Sequence, residues 1–230
     1  MFSLTPEEAL FILRSSFASD SNGPWIQTLT GGKFFYLYPE RGQLELEDIL
    51  GALSYEARFG GHTKRHYTVG QHSILGAKCL YDLVRNEWLE ELFGPPGLTE
   101  EAFGLEEQRL RLLPLEFLLH DAAEAFCKDI PTPLKTMLPF YKAIEHSVDQ
   151  CIRAKFGLSL VMSKEVKDMD MRMLALEHSI LCAQTGPGLW NANAVPADTH
   201  ISRWSTEKVA DKFLETFYRL KAFATDGYTD

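Results

Sequence analysis

Two residues with metal-binding side chains, His120 and Asp121, stand next to each other inside an apolar stretch. The surrounding residues 115–126, LEFLLHDAAEAF, have the apolar spacing of a helix that packs into a protein core. An imidazole and a carboxylate in such a place lose their hydration and need a compensating partner. A divalent metal ion is the simplest single partner for both. The pair therefore predicts a metal site.

A second candidate ligand, Asp170, lies in a predicted helix from Ser163 to Cys182. At about 100° per residue, the apolar residues of this helix form one arc, and Asp170 and Glu177 fall in its middle. Asp168 falls on the opposite face, where a solvated charge is expected. A carboxylate in an apolar arc is costly unless it is paired or bound to metal, which makes Asp170 the stronger ligand candidate. Glu177 is equally well explained as a structural hydrogen-bond acceptor.

The predicted helix from Thr68 to Arg85 places a further imidazole, His72, on its apolar face. A lone histidine there is more often a core residue with satisfied hydrogen bonds than a ligand. Here, however, three predicted helices each present an imidazole or a carboxylate inward. Such a mixed nitrogen and oxygen set suits Mn, Co, Fe, Ni, Zn or Mg, with positions left open for water. The predicted metal ligands are His72, His120, Asp121 and Asp170.

These residues resemble, in order and type, the ligand pattern of the HD-domain metal-dependent phosphohydrolases: a His, then a His-Asp pair, then a distant Asp. The likeness covers most of the chain from Trp25 to Ala222. Some segments look like those of bacterial HD-type 5'-deoxynucleotidases, namely 120–135 (HDAAEAFCKDIPTPLK), 58–59 (RF) and 67–73 (YTVGQHS). Others look closer to a phage and bacterial branch that includes deoxyadenosine triphosphate hydrolases, namely 28–35 (TLTGGKFF) and 170–177 (DMRMLALE).

The resemblance implies catalytic roles for two acids, Glu124 and Asp129, which would hold or deprotonate a metal-bound water. Taken alone, Glu124 could be an exposed helix charge, although its apolar surroundings argue against that. Asp129 follows the predicted helix, where a loop carboxylate could orient the water. His62 and His66 lie in or near a glycine-rich loop, and either could approach a substrate, or neither.

The resemblance also implies substrate contacts. Arg58 and Lys135 match phosphate-contacting positions of the family, and a guanidinium can grip phosphate with two parallel hydrogen bonds. Lys167, one helical turn before Asp170, is evenly balanced between a phosphate contact and a solvated surface charge. Phe59 could stack on a base or belong to the core.

Composition limits the functional classes. The 230 residues are 45% apolar, which predicts a globular fold, and the net charge of −9 argues against general nucleic-acid binding. Four widely spaced cysteines suit buried free thiols in a reducing compartment. Neither a leader-like start nor an apolar run of about 18 residues is present, so we expect a cytoplasmic protein without a membrane partner. The predicted partners are a small nucleotide and further copies of the chain, in a dimer or larger oligomer.

The elements that must position these residues are mostly helices. We predict an all-α, HD-type helical bundle in one domain, 1–230, with an N-terminal helix and β-hairpin in 1–45 and the helical core in 46–222. The chain should break at Gly94–Gly97 and continue irregularly to about Gln108, and 184–202 should be a surface connection. The predicted helices are 5–17, 46–58, 68–85, one around His120, 139–156, 163–182 and 206–222; the predicted hairpin pairs 25–29 with 34–38.

The combined prediction is a phosphohydrolase that cleaves a phosphoester of a nucleotide, most simply a deoxynucleotide, by attack of metal-activated water. Within this class, a 5'-deoxynucleotidase acting on monophosphates is an alternative to a triphosphohydrolase. A nucleotide-binding or signalling module without turnover is a second alternative, and the acids Glu124 and Asp129 argue against it. A structural protein with an incidental His-Asp pair is a third, and it predicts no bound metal.

Overall fold

The computed structural model describes residues 4–17, 23–91, 100–183 and 199–226. The protein is all-α with a small antiparallel hairpin near its N-terminus, which confirms the predicted fold class. Gly94–Gly97 and most of the predicted connection 184–202 lie outside the described residues. The strands are β1 (Trp25–Gln27) and β2 (Lys33–Phe35), and the helices are α1 (Pro6–Ser16), α2 (Leu46–Tyr55), α3 (Val69–Glu91), α4 (Glu100–Leu119), α5 (Glu124–Cys127), α6 (Thr132–Lys135), α7 (Pro139–Phe156), α8 (Lys164–Leu181) and α9 (Thr206–Asp226).

The described residues form two compact units, each discontinuous in sequence. The first unit takes its residues from 1–62, 68–70 and 121–160, and therefore holds the hairpin, α1, α2 and α5 to α7. The second takes its residues from 63–67, 71–120 and 161–230, and holds nearly all of α3 together with α4, α8 and α9. The prediction that 1–230 forms one domain stays a prediction.

In the first unit, local signals set the ends of several helices. The Thr5 hydroxyl accepts a hydrogen bond from the Glu8 amide at 3.2 Å, and the Glu8 carboxylate accepts one from the Thr5 amide at 2.8 Å. This reciprocal capping box confirms the predicted start of α1. Helix α1 packs against α7 through Ala9, Leu10 and Ala143. Helix α7 ends where predicted, because Gly157 takes the left-handed conformation, with φ of +71°.

Helix α2 ends earlier than predicted, at Tyr55 rather than near Arg58. The chain then turns extended, and Ala57 forms an isolated antiparallel bridge with Thr68. A short 3₁₀ segment follows over Arg58–Gly61. The backbone at Arg58 is therefore set by this bridge and turn, and not by the preceding helix.

In the second unit, the prediction of an irregular chain up to Gln108 is wrong, because α4 runs without interruption from Glu100 to Leu119. Ion pairs along the helix support it in part of this segment. Arg109 pairs with Glu106 at 2.8 Å, and Arg111 pairs with Glu107 one turn away. Pairs at these spacings stabilise a helix in a segment whose acidic composition alone resembles a loop.

The run 115–126 is also not the single helix that its apolar pattern indicates. Helix α4 stops at Leu119, residues 120–123 form turns, and α5 begins at Glu124. The carbonyl of Phe117, which a continuing helix would use for the amide of residue 121, lies instead 2.6 Å from Nδ1 of His120. A side-chain donor thus competes with the helical hydrogen bond at the position where the helix ends.

Candidate metal centre

Three of the four predicted ligands meet in the second unit. His72 lies in the first turn of α3, His120 follows the last residue of α4, and Asp170 lies in α8. Nε2 of His72 is 3.4 Å from Nε2 of His120 and 3.3 Å from Oδ1 of Asp170, and the remaining distance, from Nε2 of His120 to Oδ1 of Asp170, is 3.7 Å. We call these residues the metal triad. Their ligand atoms all lie within 4.8 Å of one another and could hold a metal ion.

The protonation of the two imidazoles follows from their other ring nitrogens. Nδ1 of His72 lies 2.6 Å from a carboxylate oxygen of Glu177, and Nδ1 of His120 lies 2.6 Å from the carbonyl oxygen of Phe117. Both of these oxygens are acceptors, so each Nδ1 carries the proton and each neutral ring has its lone pair on Nε2. Two lone pairs and a carboxylate oxygen therefore converge. Such a donor set fits a cation and is otherwise repulsive.

Glu177 is fully buried and accepts hydrogen bonds from two sides. Besides the imidazole of His72, it accepts the hydroxyl of Tyr67 at 2.7 Å. Glu177 is therefore the structural acceptor that orients a triad imidazole. Tyr67 was not singled out by sequence reasoning, because the contact joins residues 110 positions apart in the chain.

A glycine allows an aromatic ring to pack beside the imidazoles. A Cβ atom placed on Gly76 would lie 2.1 Å from the ring of Phe117, which is far too close. That ring lies 4.5 Å from the ring of His120 and 5.5 Å from that of His72, centroid to centroid. Gly76 therefore leaves the space in which Phe117 confines both imidazoles.

Helix α8, which carries Asp170, is tied to α4 at its beginning. The buried carboxylate of Glu116 accepts the amide of the N-cap residue Ser163 at 2.9 Å and also accepts its hydroxyl. A carboxylate at this place also interacts favourably with the positive end of the helix dipole. Glu116 lies one turn before His120, so the contact links the two helices that end or begin near triad residues.

The charge of Asp170 is stabilised by its surroundings. Burial opposes ionisation, but an Nε2 of His120 or His72 that takes up a second proton donates to this carboxylate, and such contacts hold the pKa of the Asp170 carboxyl well below its usual range. On the same helix, Asp168 is exposed and pairs with Lys164 at 3.4 Å, as the helical pattern predicts. Lys167 is exposed as well.

Apart from Lys167, the other predicted site residues belong to the first unit. Asp121, the fourth predicted ligand, accepts a hydrogen bond from the buried guanidinium of Arg58 at 3.1 Å. Among the described residues, the ligand atoms that converge are those of the metal triad, and Asp121 is not part of this group. Four charged side chains influence the pKa of Glu124, namely those of Arg58, Asp121, Asp129 and Lys135. We call these four residues together with Glu124 the charged cluster.

Glu124 is the least compensated member of the charged cluster. Its side chain is buried, and its Oε2 atom has no hydrogen-bond partner among the described residues. Burial, followed by the negative charges of Asp121 and Asp129, raises its pKa well above the usual value, against the opposing effect of Arg58 and Lys135. Burial also raises the pKa of Asp129. Both acids therefore retain protons more readily than solvated carboxyls do.

Two glutamates that sequence reasoning missed hold the cluster in place. Glu56 accepts the backbone amide of Asp129 at 3.1 Å and the ammonium of Lys128 at 2.8 Å. Glu145 accepts the ammonium of Lys135 at 2.7 Å. Although burial opposes it, the hydrogen bond to Glu145 raises the pKa of Lys135, which therefore stays charged.

Two non-glycine residues beside the cluster have positive φ angles. Phe59 follows Arg58 with φ of +58°, and Lys128 precedes Asp129 with φ of +75°. Such conformations cost about 1–3 kcal/mol each and tend to occur at functional sites. Phe59 is partly buried, whereas His62 and His66 are exposed.

Together, these features define an all-α protein in which two buried histidines and a partly buried aspartate form a group that could hold a metal ion. None of its described helices combines the length and apolar character needed to cross a membrane. No family model matches the chain.

Two uncharacterized proteins are similar to it. The chain is 35% identical over 162 residues to the uncharacterized protein YfdR of Escherichia coli (strain K12), in a match that covers 70% of this chain and 75% of YfdR. It is 30% identical over 148 residues to an uncharacterized protein of Rhodobacter capsulatus, covering 62% of this chain and 63% of that protein. The chain belongs to the same family as YfdR.

Proposed function

We propose that this protein is a metal-dependent phosphohydrolase that cleaves a phosphoester of a nucleotide, with a deoxynucleotide as the preferred substrate. The observation that carries the proposal is the convergence of the two Nε2 lone pairs of His72 and His120 on a carboxylate oxygen of Asp170. A buried set of acceptors of this kind is compensated by a cation. The resemblance to HD-domain phosphohydrolases supplies the reaction class.

The metal triad would hold the ion through two neutral imidazoles and one ionised carboxylate, and the family pattern adds Asp121 as a fourth ligand. A divalent ion bound there would supply Lewis acidity and lower the pKa of a bound water. Glu177 and the Phe117 carbonyl keep the protons of both imidazoles on Nδ1, so that both lone pairs stay available.

Glu124 and Asp129 are suited to accept a proton from the attacking water. A general base works best when its pKa lies near the pH at which the enzyme operates, and burial moves both carboxyls in that direction. The Oε2 atom of Glu124 also offers an acceptor that no described residue uses. In this proposal, Glu124 holds the water and Asp129 assists in orienting it.

Arg58 and Lys135 would bind the phosphate. Both are partly or largely buried, and each now faces a carboxylate, Asp121 for Arg58 and Glu145 for Lys135. Charge-assisted hydrogen bonds from these donors would neutralise charge that develops on the phosphate oxygens. A chain with a net charge of −9 needs such local positive groups to attract an anionic substrate.

The test is a hydrolysis assay with a panel of deoxynucleoside monophosphates and triphosphates in the presence of Mn²⁺ or Co²⁺. Release of phosphate, pyrophosphate and triphosphate is quantified separately, which distinguishes a 5'-nucleotidase from a triphosphohydrolase. We expect release from at least one nucleotide, and loss of that release on chelation. If metal binds at the triad but no nucleotide is hydrolysed, the enzymatic proposal is wrong and a binding module takes its place.

A further inference from the structure

The first unit contains a cavity that the proposed reaction does not use. It opens to solvent, has a volume of about 600 Å³ and is lined by residues of β1, α2, α5 and α7 and the chain near them. Sites for small organic ligands have volumes of roughly 300–1,000 Å³ and mostly apolar walls with a few polar groups. None of the residues proposed to bind the metal, the water or the phosphate lines this cavity.

Aromatic side chains form much of its wall, namely Tyr36, Tyr55, Phe126 and Tyr141. The hydroxyl of Tyr36 donates to the carbonyl of Phe126 at 2.8 Å, and that of Tyr141 donates to the carbonyl of Lys128 at 2.7 Å. These hydroxyls are engaged within the protein, and the buried ring of Phe126 is already stacked on Phe34 at 4.1 Å between centroids, so the tyrosine rings are the main part left for a ligand. Aromatic walls favour a flat, unsaturated ligand that can stack on them.

The charges at the wall are already compensated. The buried carboxylate of Asp48 accepts the amide and the hydroxyl of Thr30 at 2.7 and 3.0 Å. The ammonium of Lys128 pairs with Glu56 at 2.8 Å. Burial raises the pKa of the Cys127 thiol to about 12, so this group stays neutral. The cavity therefore favours an uncharged ligand over a phosphate or a carboxylate.

A polar group of the wall selects among neutral ligands. Gln27 in β1 carries a side-chain amide, which is both a donor and an acceptor. An amide matches the neighbouring donor and acceptor groups on the edge of a nitrogen heterocycle, whereas a hydrocarbon offers it nothing. From the aromatic wall, the compensated charges and this amide, we propose that the cavity binds a neutral heteroaromatic ring of nucleobase size, such as the base of a nucleoside.

The cavity shares helix α5 with the charged cluster. Ala125, Phe126 and Cys127 line the cavity, while Glu124 is the first residue of the same four-residue helix. Asp129 follows directly after Lys128, another wall residue. A ligand in the cavity would therefore contact residues adjacent in the chain to both proposed catalytic acids. Any effect of the ligand on turnover rests on the proposed function.

The test measures binding without turnover, so that it does not depend on the proposed reaction. Deoxyadenosine and thymidine are titrated into chelator-treated protein by calorimetry, and we expect saturable binding of at least one of them. Ala52→Phe, which adds a ring to a partly exposed wall residue of α2, should weaken binding at least tenfold. Gln27→Ala should weaken it by about 2- to 10-fold, the value of one hydrogen bond.

Two controls make the result decisive. Gln108→Ala removes an exposed amide from α4 and should leave the affinity unchanged. Lys164→Gln removes an exposed charge from α8 and should leave nucleoside affinity within about twofold. Absence of saturable binding, or equal affinity in a folded Ala52→Phe variant, overturns the proposal whether or not the protein hydrolyses nucleotides. If Ala52→Phe does not fold, equal nucleoside affinity of Gln27→Ala and Gln108→Ala overturns it instead.

Discussion

The metal triad and the charged cluster are both polar groups that are largely withdrawn from solvent, but they are compensated in different ways. In the triad, every ligand atom that faces the centre is an acceptor, and the protons of both imidazoles point outward to Glu177 and Phe117. In the charged cluster, Arg58 and Lys135 oppose three acids, and the least compensated atom is one oxygen of Glu124. The triad therefore suits a cation from outside, while the two cations of the cluster offset most of its negative charge and leave Glu124 able to take a proton or a water.

One sequence feature, the adjacent pair His120-Asp121, pointed to both regions. His120 and Asp121 are adjacent, yet one belongs to the second unit and the other to the first. A change that affects only one of the two regions tests whether their roles differ as described.

The largest effect is expected from Asp170→Asn. It removes the only formal charge of the triad, so bound metal should fall from about one ion per chain to background, and hydrolysis should be lost with it. Elemental analysis and the phosphate-release assay measure the two quantities. Asp168→Asn, two residues away on the exposed face of α8, should keep full metal content. Equal metal in the two variants would contradict the assignment of the triad.

The next effect is expected from Glu177→Gln. An amide accepts the imidazole proton of His72 less strongly than a carboxylate does, so the ligand loses basicity and orientation. Metal affinity should fall by about 10- to 100-fold, as is typical of such supporting residues. Competition with a chelator gives the affinity. Glu165→Gln on the same helix, which disturbs only an exposed pair with Arg109 at 2.9 Å, should bind metal like the parent.

A smaller effect concerns the contact between α4 and α8. Ser163→Ala removes the hydroxyl that Glu116 accepts and should lower the free energy of unfolding by about 1 kcal/mol. A double-mutant cycle with Glu116→Gln, followed by urea unfolding, should show non-additive losses because the two residues share one interaction. Additive losses would indicate that the contact does not link the helices in solution.

The smallest effect concerns the charged cluster alone and is a pH dependence of the free energy of unfolding. The pKa of Glu124 is raised in the folded protein, so the folded state binds a proton more tightly than the unfolded chain. Its stabilising contribution is present below the unfolded pKa of about 4.3 and is lost as pH rises through the folded value. Metal-free Glu124→Gln should therefore be more stable than the parent at pH 8, with the difference shrinking toward pH 4. Urea unfolding across this range measures it.

Glu47→Gln, an exposed acid on α2, should follow the pH profile of the parent. A Glu124→Gln profile parallel to that of the parent would show that this carboxyl titrates normally in the folded protein. The charged cluster would then resemble a solvated surface group, and the contrast with the metal triad would be lost.

The parts of the fold that could be predicted are those specified by neighbouring residues. The capping box at Thr5 sets the beginning of α1, and Gly157 sets the end of α7, because each signal acts over three or four residues. The break after Leu119 could not be predicted in this way. It depends on whether the Phe117 carbonyl accepts the His120 side chain or a helix amide, and the apolar pattern does not distinguish the two.

The sequence by itself determined the all-α class, the helices that carry His72 and Asp170, and the inward direction of both side chains, because helical periodicity fixes which residues share a face. Only the tertiary structure decided that three of the four predicted ligands converge, that Glu177 and Phe117 set the proton positions, and that Asp121 pairs with Arg58. These contacts join residues far apart in the chain. Their geometry depends on how helices pack, which no local pattern specifies.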